Sequence, residues 1–345
     1  MINVGIIGCG TIARQRHAVE YFNNSDAKII GFFDLNEPRA FAMTEEFGGK
    51  VYKTAQDLIA DPEIDAVSVC VANTYHAALT IEALEHGKHV LCEKPMAITL
   101  DDCEAMLAAA DKSGKHLLID HNQRLAPAHV KAKQILETGE LGKIISFSTV
   151  FGHKGPETWS VDKGSNTWFF KRDLAAFGSM ADLGIHKIDL IRYLVGSEVQ
   201  SVFAELAILN KKFSDGTPIE VDDNSVEIIK FRNGVMGTVT TSWTYYGEES
   251  NGTILYCEKG MLRLYINNQY PLTISFADQT KAFYELNQLQ SNDDKHQTSS
   301  GVIDLFIDCI INDKKSILDA SEAIESMKVV FACLESAASG QIVLM

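Results

Sequence analysis

The sequence predicts an α/β protein in two parts: a doubly wound parallel sheet at the N-terminus, then an α+β domain with a large, open, mostly antiparallel sheet. Three observations predict it. The first 120 or so residues alternate short apolar runs with helical patterns, as βαβ units do when their strands are buried on both faces. After about residue 199, strand-like runs follow one another across short turns with no helix between them, which favours antiparallel pairing. And 345 residues are too many for one ordinary core. The boundary falls near Asn122, giving domains of residues 1–122 and 123–345.

The elements follow in order. Strands are expected at Asn3–Gly8, Lys28–Phe33, Ala66–Val71, His89–Cys92 and His116–Asp120, with helices near 11–24, 37–47, 76–86 and 100–113 between them. Gly87 and Gly114 stand where helix C-caps belong. Thr99-Leu100-Asp101-Asp102 reads as a capping box. In the second part, Pro127 can open a helix that runs to Thr138 and stops at Gly139. A strand at Lys143–Phe151, a Gly-rich polar stretch and a helix near 180–195 come next. Strands are then expected at 199–209, 223–232, 235–245, 253–257, 261–266 and 271–276, and helices at 299–312 and 319–338. Asn233-Gly234 between two strand-like runs signals a hairpin.

Gly8-Cys9-Gly10-Thr11-Ile12-Ala13 is a G-x-G-x-x-A phosphate loop, placed where a strand opens into a helix. Gly8 permits the tight turn, Gly10 lets backbone approach a pyrophosphate, and Ala13 lets helix pack on strand. The helix start at Thr11 and Ile12 offers free N–H groups and the positive end of the helix dipole. Asp34 ends the second strand, 24 residues after Gly10, about where a carboxylate binds the adenosine ribose hydroxyls. The first domain is therefore a Rossmann domain for NAD, because that carboxylate repels the 2′-phosphate of NADP. Arg39 and Arg14 can approach that phosphate in the fold, so NADP stays open.

Bulk properties exclude other classes. The formal net charge is −15, and no basic run offsets it, so nucleic acid and anionic lipid are not expected partners. No run of about 18 apolar residues suits a membrane. The N-terminal Ile2-Asn3-Val4-Gly5-Ile6-Ile7 has no basic n-region before it and no cleavage site, so a secretory signal is not expected. Seven cysteines without a C-x-x-C suggest reduced thiols in the cytoplasm. His86, His89 and Cys92 have metal-like spacing but straddle a helix end and a strand, so no metal is expected.

Three further segments carry a resemblance. Gly87-Lys88-His89-Val90-Leu91-Cys92-Glu93-Lys94-Pro95 is similar to G-K-H-V-x-x-E-K-P, Gln123-Arg124-Leu125-Ala126-Pro127 to an R-x-x-P domain entry, and Asp182-Leu183-Gly184-Ile185-His186-Lys187-Ile188-Asp189 to D-x-G-x-H-x-x-D. In this order, downstream of a phosphate loop, they resemble the glucose-fructose oxidoreductase, inositol dehydrogenase and MocA (Gfo/Idh/MocA) family. Two departures stand out: Val71-Ala72 where the family has Thr-Pro before Asn73, and Phe177-Gly178-Ser179 where it has three glycines.

The resemblance implies an NAD(P)-dependent oxidoreductase acting on a secondary hydroxyl of a sugar, cyclitol or sugar derivative. It implies Lys94 polarising the substrate oxygen, His186 as acid/base and Asp182 contacting substrate. It also implies cofactor contacts from Asn73, His76, Glu93, Lys94 and Asn122, and substrate contacts from Arg124 and Trp168. The chemistry agrees. Hydride removal from an alcohol needs a group to take the hydroxyl proton, and histidine titrates near neutrality. Asp182 and Asp189 share a helix face with His186 at spacings of four and three, so either carboxylate can orient the imidazole. His76 either caps its helix or faces the cofactor. Trp168-Phe169-Phe170 either walls a sugar site or is core. Trp243, Tyr245 and Tyr246 end a strand of the second sheet, and an aromatic sheet face calls for cover by a second subunit, giving a homodimer or homotetramer. Two rivals remain: an NAD-dependent glycoside hydrolase on the same scaffold and a non-catalytic dinucleotide-binding regulator.

Overall fold

The computed structural model describes residues 1–289 and 299–345. β1 (Ile2–Ile7) runs into the phosphate loop and a wide π-type helical segment, Ala13–Ala18, which continues as α1 (Val19–Asn23). The first unit is completed by β2 (Ala27–Phe33), α2 (Glu37–Phe47), β3 (Lys50–Val51), α3 (Ala55–Ala60), β4 (Ala66–Val69), α4 (His76–Glu85), β5 (His89–Cys92), α5 (Leu100–Ser113) and β6 (Leu117–Ile119). All pairings are parallel, in the order β3-β2-β1-β4-β5-β6, the order of a Rossmann sheet. β4 is buried along its whole length, as a strand covered by helices on both faces must be. Thr99 caps α5 by accepting from the Asp102 N–H at 3.1 Å. The short pair β3 and α3 is absent from the sequence reading, because two and six residues are too few to show a period.

The second unit begins with α6 (Pro127–Thr138), β7 (Ile144–Gly152) and α7 (Arg172–Ala175). Another π-type segment, Met180–Gly184, leads into α8 (Ile185–Val195). The strands β8 (Val199–Ala207), β9 (Asn224–Phe231), β10 (Met236–Ser242), β11 (Thr253–Cys257), β12 (Gly260–Leu264), β13 (Leu272–Phe276) and β14 (Lys281–Tyr284) follow. With α9 (Val302–Asn312), α10 (Ala320–Ser339) and β15 (Val343–Leu344) they complete the chain. The nine-stranded sheet has the order β14-β13-β12-β11-β7-β10-β9-β8-β15. It is antiparallel except at its centre, where β7 lies parallel to β10. The Asn233-Gly234 turn closes the β9–β10 hairpin through a hydrogen bond from the Phe231 N–H to the Val235 carbonyl.

α8 and α10 cover the inner face of this sheet. The outer face leaves Val226, Ile228, Met236 and Tyr256 exposed. These are aliphatic positions for the most part, not the aromatic cluster expected from the sequence. Trp243 is wholly buried, and Tyr245 and Tyr246 lie past the end of β10.

α9 packs on the first unit. Val302, Ile303, Phe306 and Ile307 of α9 share a core with Ile6, Ala18 and Tyr21 of the first unit. Glu20 accepts from the Ser300 N–H at 2.8 Å. The chain thus returns to the Rossmann layer, and α10 then spans both units, packing on α5 and β6 as well as on α8 and β8.

Candidate active site

A cavity of about 1610 Å³ opens at the carboxyl ends of β1 and β4, where the strand order reverses and ligands of doubly wound sheets bind. Its far wall comes from the second domain. The volume exceeds that of an ordinary small-molecule pocket and has room for a dinucleotide and a second molecule together.

The phosphate loop forms one end. Gly8 has φ +92°, and a Cβ there would stand 2.2 Å from the Cys70 carbonyl oxygen, so only glycine allows β1 and β4 to end side by side. At Gly10 the space is open: the nearest atom to an added Cβ would be Val161 Cγ1 at 4.0 Å. Thr11, Ile12 and Ala13 line the cavity behind it. Asp34 accepts from the Cys9 N–H at 2.7 Å and from the Asn36 N–H at 2.7 Å, so its carboxylate is aimed and lines the wall. An open glycine cradle at a helix start beside a fixed carboxylate fits a dinucleotide pyrophosphate and ribose. Arg14 turns away to Glu46.

In the middle lie Asn73, Glu93, Lys94 and Asn122. Asn73 Nδ2 donates to the Ala175 carbonyl at 2.9 Å, tying the two domains. Asn122 Oδ1 is buried with no partner among the described residues, as suits an acceptor awaiting a ligand. His76 does not face the cavity. It is buried, with Nδ1 2.7 Å from the Pro95 carbonyl and Nε2 3.2 Å from the Val71 carbonyl, and burial lowers its pKa. The ring braces two loops and does not cap the helix.

Sequence reasoning missed His17, on the π-type segment after the phosphate loop. It lies 3.0 Å from Glu93 and 3.5 Å from Asp120. Burial opposes its charge, but Cys70, Asp120 and Glu93 outweigh it and hold the imidazolium well above its usual range. Partial burial pushes Glu93 up, yet His17 outweighs it and holds the carboxylate well below its usual range. The ligand atoms of these three residues lie within 4.8 Å of one another, with a cation already between the carboxylates. His86, His89 and Cys92 do not converge: His89 stacks on His116 and His86 sits against the Glu82 carbonyl.

At the other end, Lys94, Asp182 and His186 meet across the domain boundary. Lys94 Nζ donates to Asp182 Oδ1 at 2.8 Å and to the Asp182 carbonyl at 2.9 Å. The Trp243 indole N–H donates to Asp182 Oδ2 at 3.1 Å, so both carboxylate oxygens are engaged. His186 lines the same cavity, and its Nδ1 is buried without a partner among the described residues. Burial, then the positive charge of Lys94, holds its pKa well below 6.5. Asp222, also missed, anchors this segment by accepting from Gly178 N, Met180 N and Ser179 Oγ. A Cβ at Gly178 would strike the Asp222 carbonyl at 1.7 Å, which explains the one glycine kept in Phe177-Gly178-Ser179.

Two expectations are corrected. Neither acid orients His186 by a hydrogen bond. Asp182 serves Lys94 and Trp243, and Asp189 forms a buried two-bond pair with Arg124 at 2.7 and 2.8 Å, with Ser326 as a further donor. Arg124, expected at the substrate, is 4% exposed and does not reach the cavity. Trp168 does line it, stacked on Phe169 at 3.8 Å, while Phe170 is core with Trp243. Phe151, His153, Trp159, Tyr246, Glu249 and Asn251 complete the wall. They come from loops and strand ends with no sequence period to mark them.

Residues 2–121 match the oxidoreductase family with NAD-binding Rossmann fold, and residues 129–263 match the GFO/IDH/MocA C-terminal domain. Levoglucosan dehydrogenase of Pseudarthrobacter phenanthrenivorans is 30% identical over 80% of this chain and 76% of its own. Myo-inositol 2-dehydrogenase of Thermotoga maritima is 29% identical over 81% and 79%. A levoglucosan dehydrogenase structure with NADH and L-sorbose superposes with a TM-score of 0.85 at 25% identity, over 100% of this chain and 98% of that one. A dinucleotide cradle, a lysine–aspartate clamp and a neutral histidine thus share one cleft in a chain that belongs to the Gfo/Idh/MocA family of NAD-binding oxidoreductases.

Proposed function

We propose that this protein is an NAD-dependent dehydrogenase of a secondary hydroxyl on a sugar or cyclitol. The observation that carries the reading is Lys94 clamped by Asp182 beside a neutral His186 in one cavity. In this reading Gly8, Gly10, Thr11, Ile12 and Asp34 hold the adenosine and pyrophosphate end, and Asn73, Glu93 and Asn122 line the nicotinamide end. When bound, the nicotinamide supplies the hydride acceptor. The substrate hydroxyl donates toward His186, which takes its proton as the carbonyl forms. Lys94, fixed by two hydrogen bonds, presents its remaining N–H to the oxygen and stabilises the charge that develops there. Trp168 on Phe169 supports a sugar-ring reading of the outer wall. The relatives' sugars and inositols support the substrate class.

The test is the absorbance of reduced nicotinamide with NAD and a panel of cyclitols, aldoses and glycosides, with Lys94→Ala alongside. Net reduced cofactor with one substrate, abolished in the variant, is the expected result. Glycoside cleavage without net reduction would favour the hydrolase.

The exposed Val226, Ile228, Met236 and Tyr256 support an oligomer in which a second copy covers the sheet. Unpaired cysteines support a reducing compartment, the cytoplasm. Among the described residues no helix is long and apolar enough to cross a membrane.

A further inference from the structure

Arg39 and Asp162 meet across the ribose end of the dinucleotide groove. Arg39 stands in the first turn of α2 and lines the cavity beside Asp34 and Asn36. Asp162 belongs to the long connection between β7 and α7, in the other domain, and lines the same stretch. Arg39 Nη2 donates to Asp162 Oδ1 at 2.5 Å. One further contact holds this connection over the groove, and one orders it from within. Thr11 Oγ1 donates to the Trp159 carbonyl at 3.2 Å, and Ser160 Oγ donates to the Asp162 carbonyl at 2.9 Å.

A charge balance follows. Asp34 repels a 2′-phosphate, and Arg39 is the neighbouring fork that would receive one, since guanidinium matches a phosphate with paired donors. Asp162 engages that fork with a carboxylate. The three side chains then total one negative charge where a 2′-phosphate would sit; without Asp162 they total none. The pair is part-exposed, at 27% and 52% of the two side chains, so it adds little to stability. Its effect is on which cofactor can approach.

We propose that Asp162 is a specificity-determining residue: by occupying Arg39 from the opposite domain, it withholds the cation that a 2′-phosphate needs and so excludes NADP. The selectivity assigned to Asp34 alone in a Rossmann domain is here shared between the two domains. The proposal rests on the groove being the dinucleotide site, which NADH binding itself checks.

The experiment is fluorescence titration of the whole protein with NADH and NADPH, needing no substrate. It compares wild type, Asp162→Asn, Asp162→Ser and the Arg39→Ala/Asp162→Asn double variant. Wild type should prefer NADH. Both single variants should tighten NADPH about tenfold, equivalent to ~1.4 kcal/mol, with NADH altered far less, and the double variant should lose the gain. An unchanged NADPH affinity, an equal gain for both cofactors, or a gain that survives removal of Arg39 would each overturn the proposal. Failure of wild type to bind NADH would overturn the groove assignment and this proposal with it.

Discussion

Lys94 and Asp182 are joined twice, through the carboxylate at 2.8 Å and through the backbone carbonyl at 2.9 Å. One residue belongs to the Rossmann domain and the other to the second domain, so closing the two domains on each other assembles the clamp. Asp182→Asn keeps the shape but weakens the charged bond that aims the ammonium. The expected result is a kcat lower by about 10²-fold or more with the NADH dissociation constant unchanged. Equal loss in both would mean that the pair is structural.

The low pKa of His186 has a consequence for pH. A histidine whose folded pKa lies well below 6.5 is still unprotonated at that pH and can accept a proton. The kcat/KM profile should therefore have no acid limb from this residue until well below pH 6.5. An acid limb near pH 6.5 that disappears in His186→Gln would contradict the assignment.

Arg124 and Asp189 are a buried ion pair, 4% and 2% exposed at their side chains. Arg124→Met strands the carboxylate and should cost about 3–5 kcal/mol, whereas Arg124→Met with Asp189→Leu should cost much less. Urea unfolding of both variants measures the difference. Similar losses in the two would show that the charge is not what the pair protects.

Glu227 is fully buried inside the second sheet, and neither carboxyl oxygen has a hydrogen-bond partner among the described residues. Burial raises its pKa from 4.5 to about 8. Between those values the unfolded chain has released a proton that the folded chain keeps, so stability falls as pH rises and the loss is complete above about pH 8. Glu227→Gln should be near neutral at pH 4 and more stable than wild type above pH 8, by at least the ~2–4 °C in Tm that one kcal/mol represents in a large domain. Parallel melting curves across pH would refute it.

The open face of the second sheet predicts a change in mass. Val226→Glu with Ile228→Glu places two charges on adjacent outward positions of β9. Light scattering should report an oligomer for wild type and a smaller species for the variant.

Where the chemistry is local, the sequence was legible. Thr99 and Gly114 bound α5, and Pro127 and Gly139 bound α6, and both helices match the expected 100–113 and 127–138. Asn233-Gly234 closes its hairpin because φ at Gly234 is +91°, which that turn requires. What depends on partners far along the chain was not legible. Helical spacing placed Asp182 and Asp189 on one face with His186, but could not show that their partners are Lys94, Trp243 and Arg124, tens of residues away. The parallel β7–β10 pair was hidden for the same reason, because strand direction is set by the route the chain takes between them.

The return of α9 to the first layer sets how the molecule can be divided. A fragment ending at Asn122 would carry every residue of the phosphate loop and yet leave Ile6, Ala18 and Tyr21 without the apolar cover that Phe306 and Ile307 supply. Cofactor binding therefore has no independent module in this chain. Cutting between the two matched regions would expose a fresh apolar face on the half that binds the dinucleotide, while a rearranged chain that began near residue 299 and joined the old termini through a linker would keep that half whole.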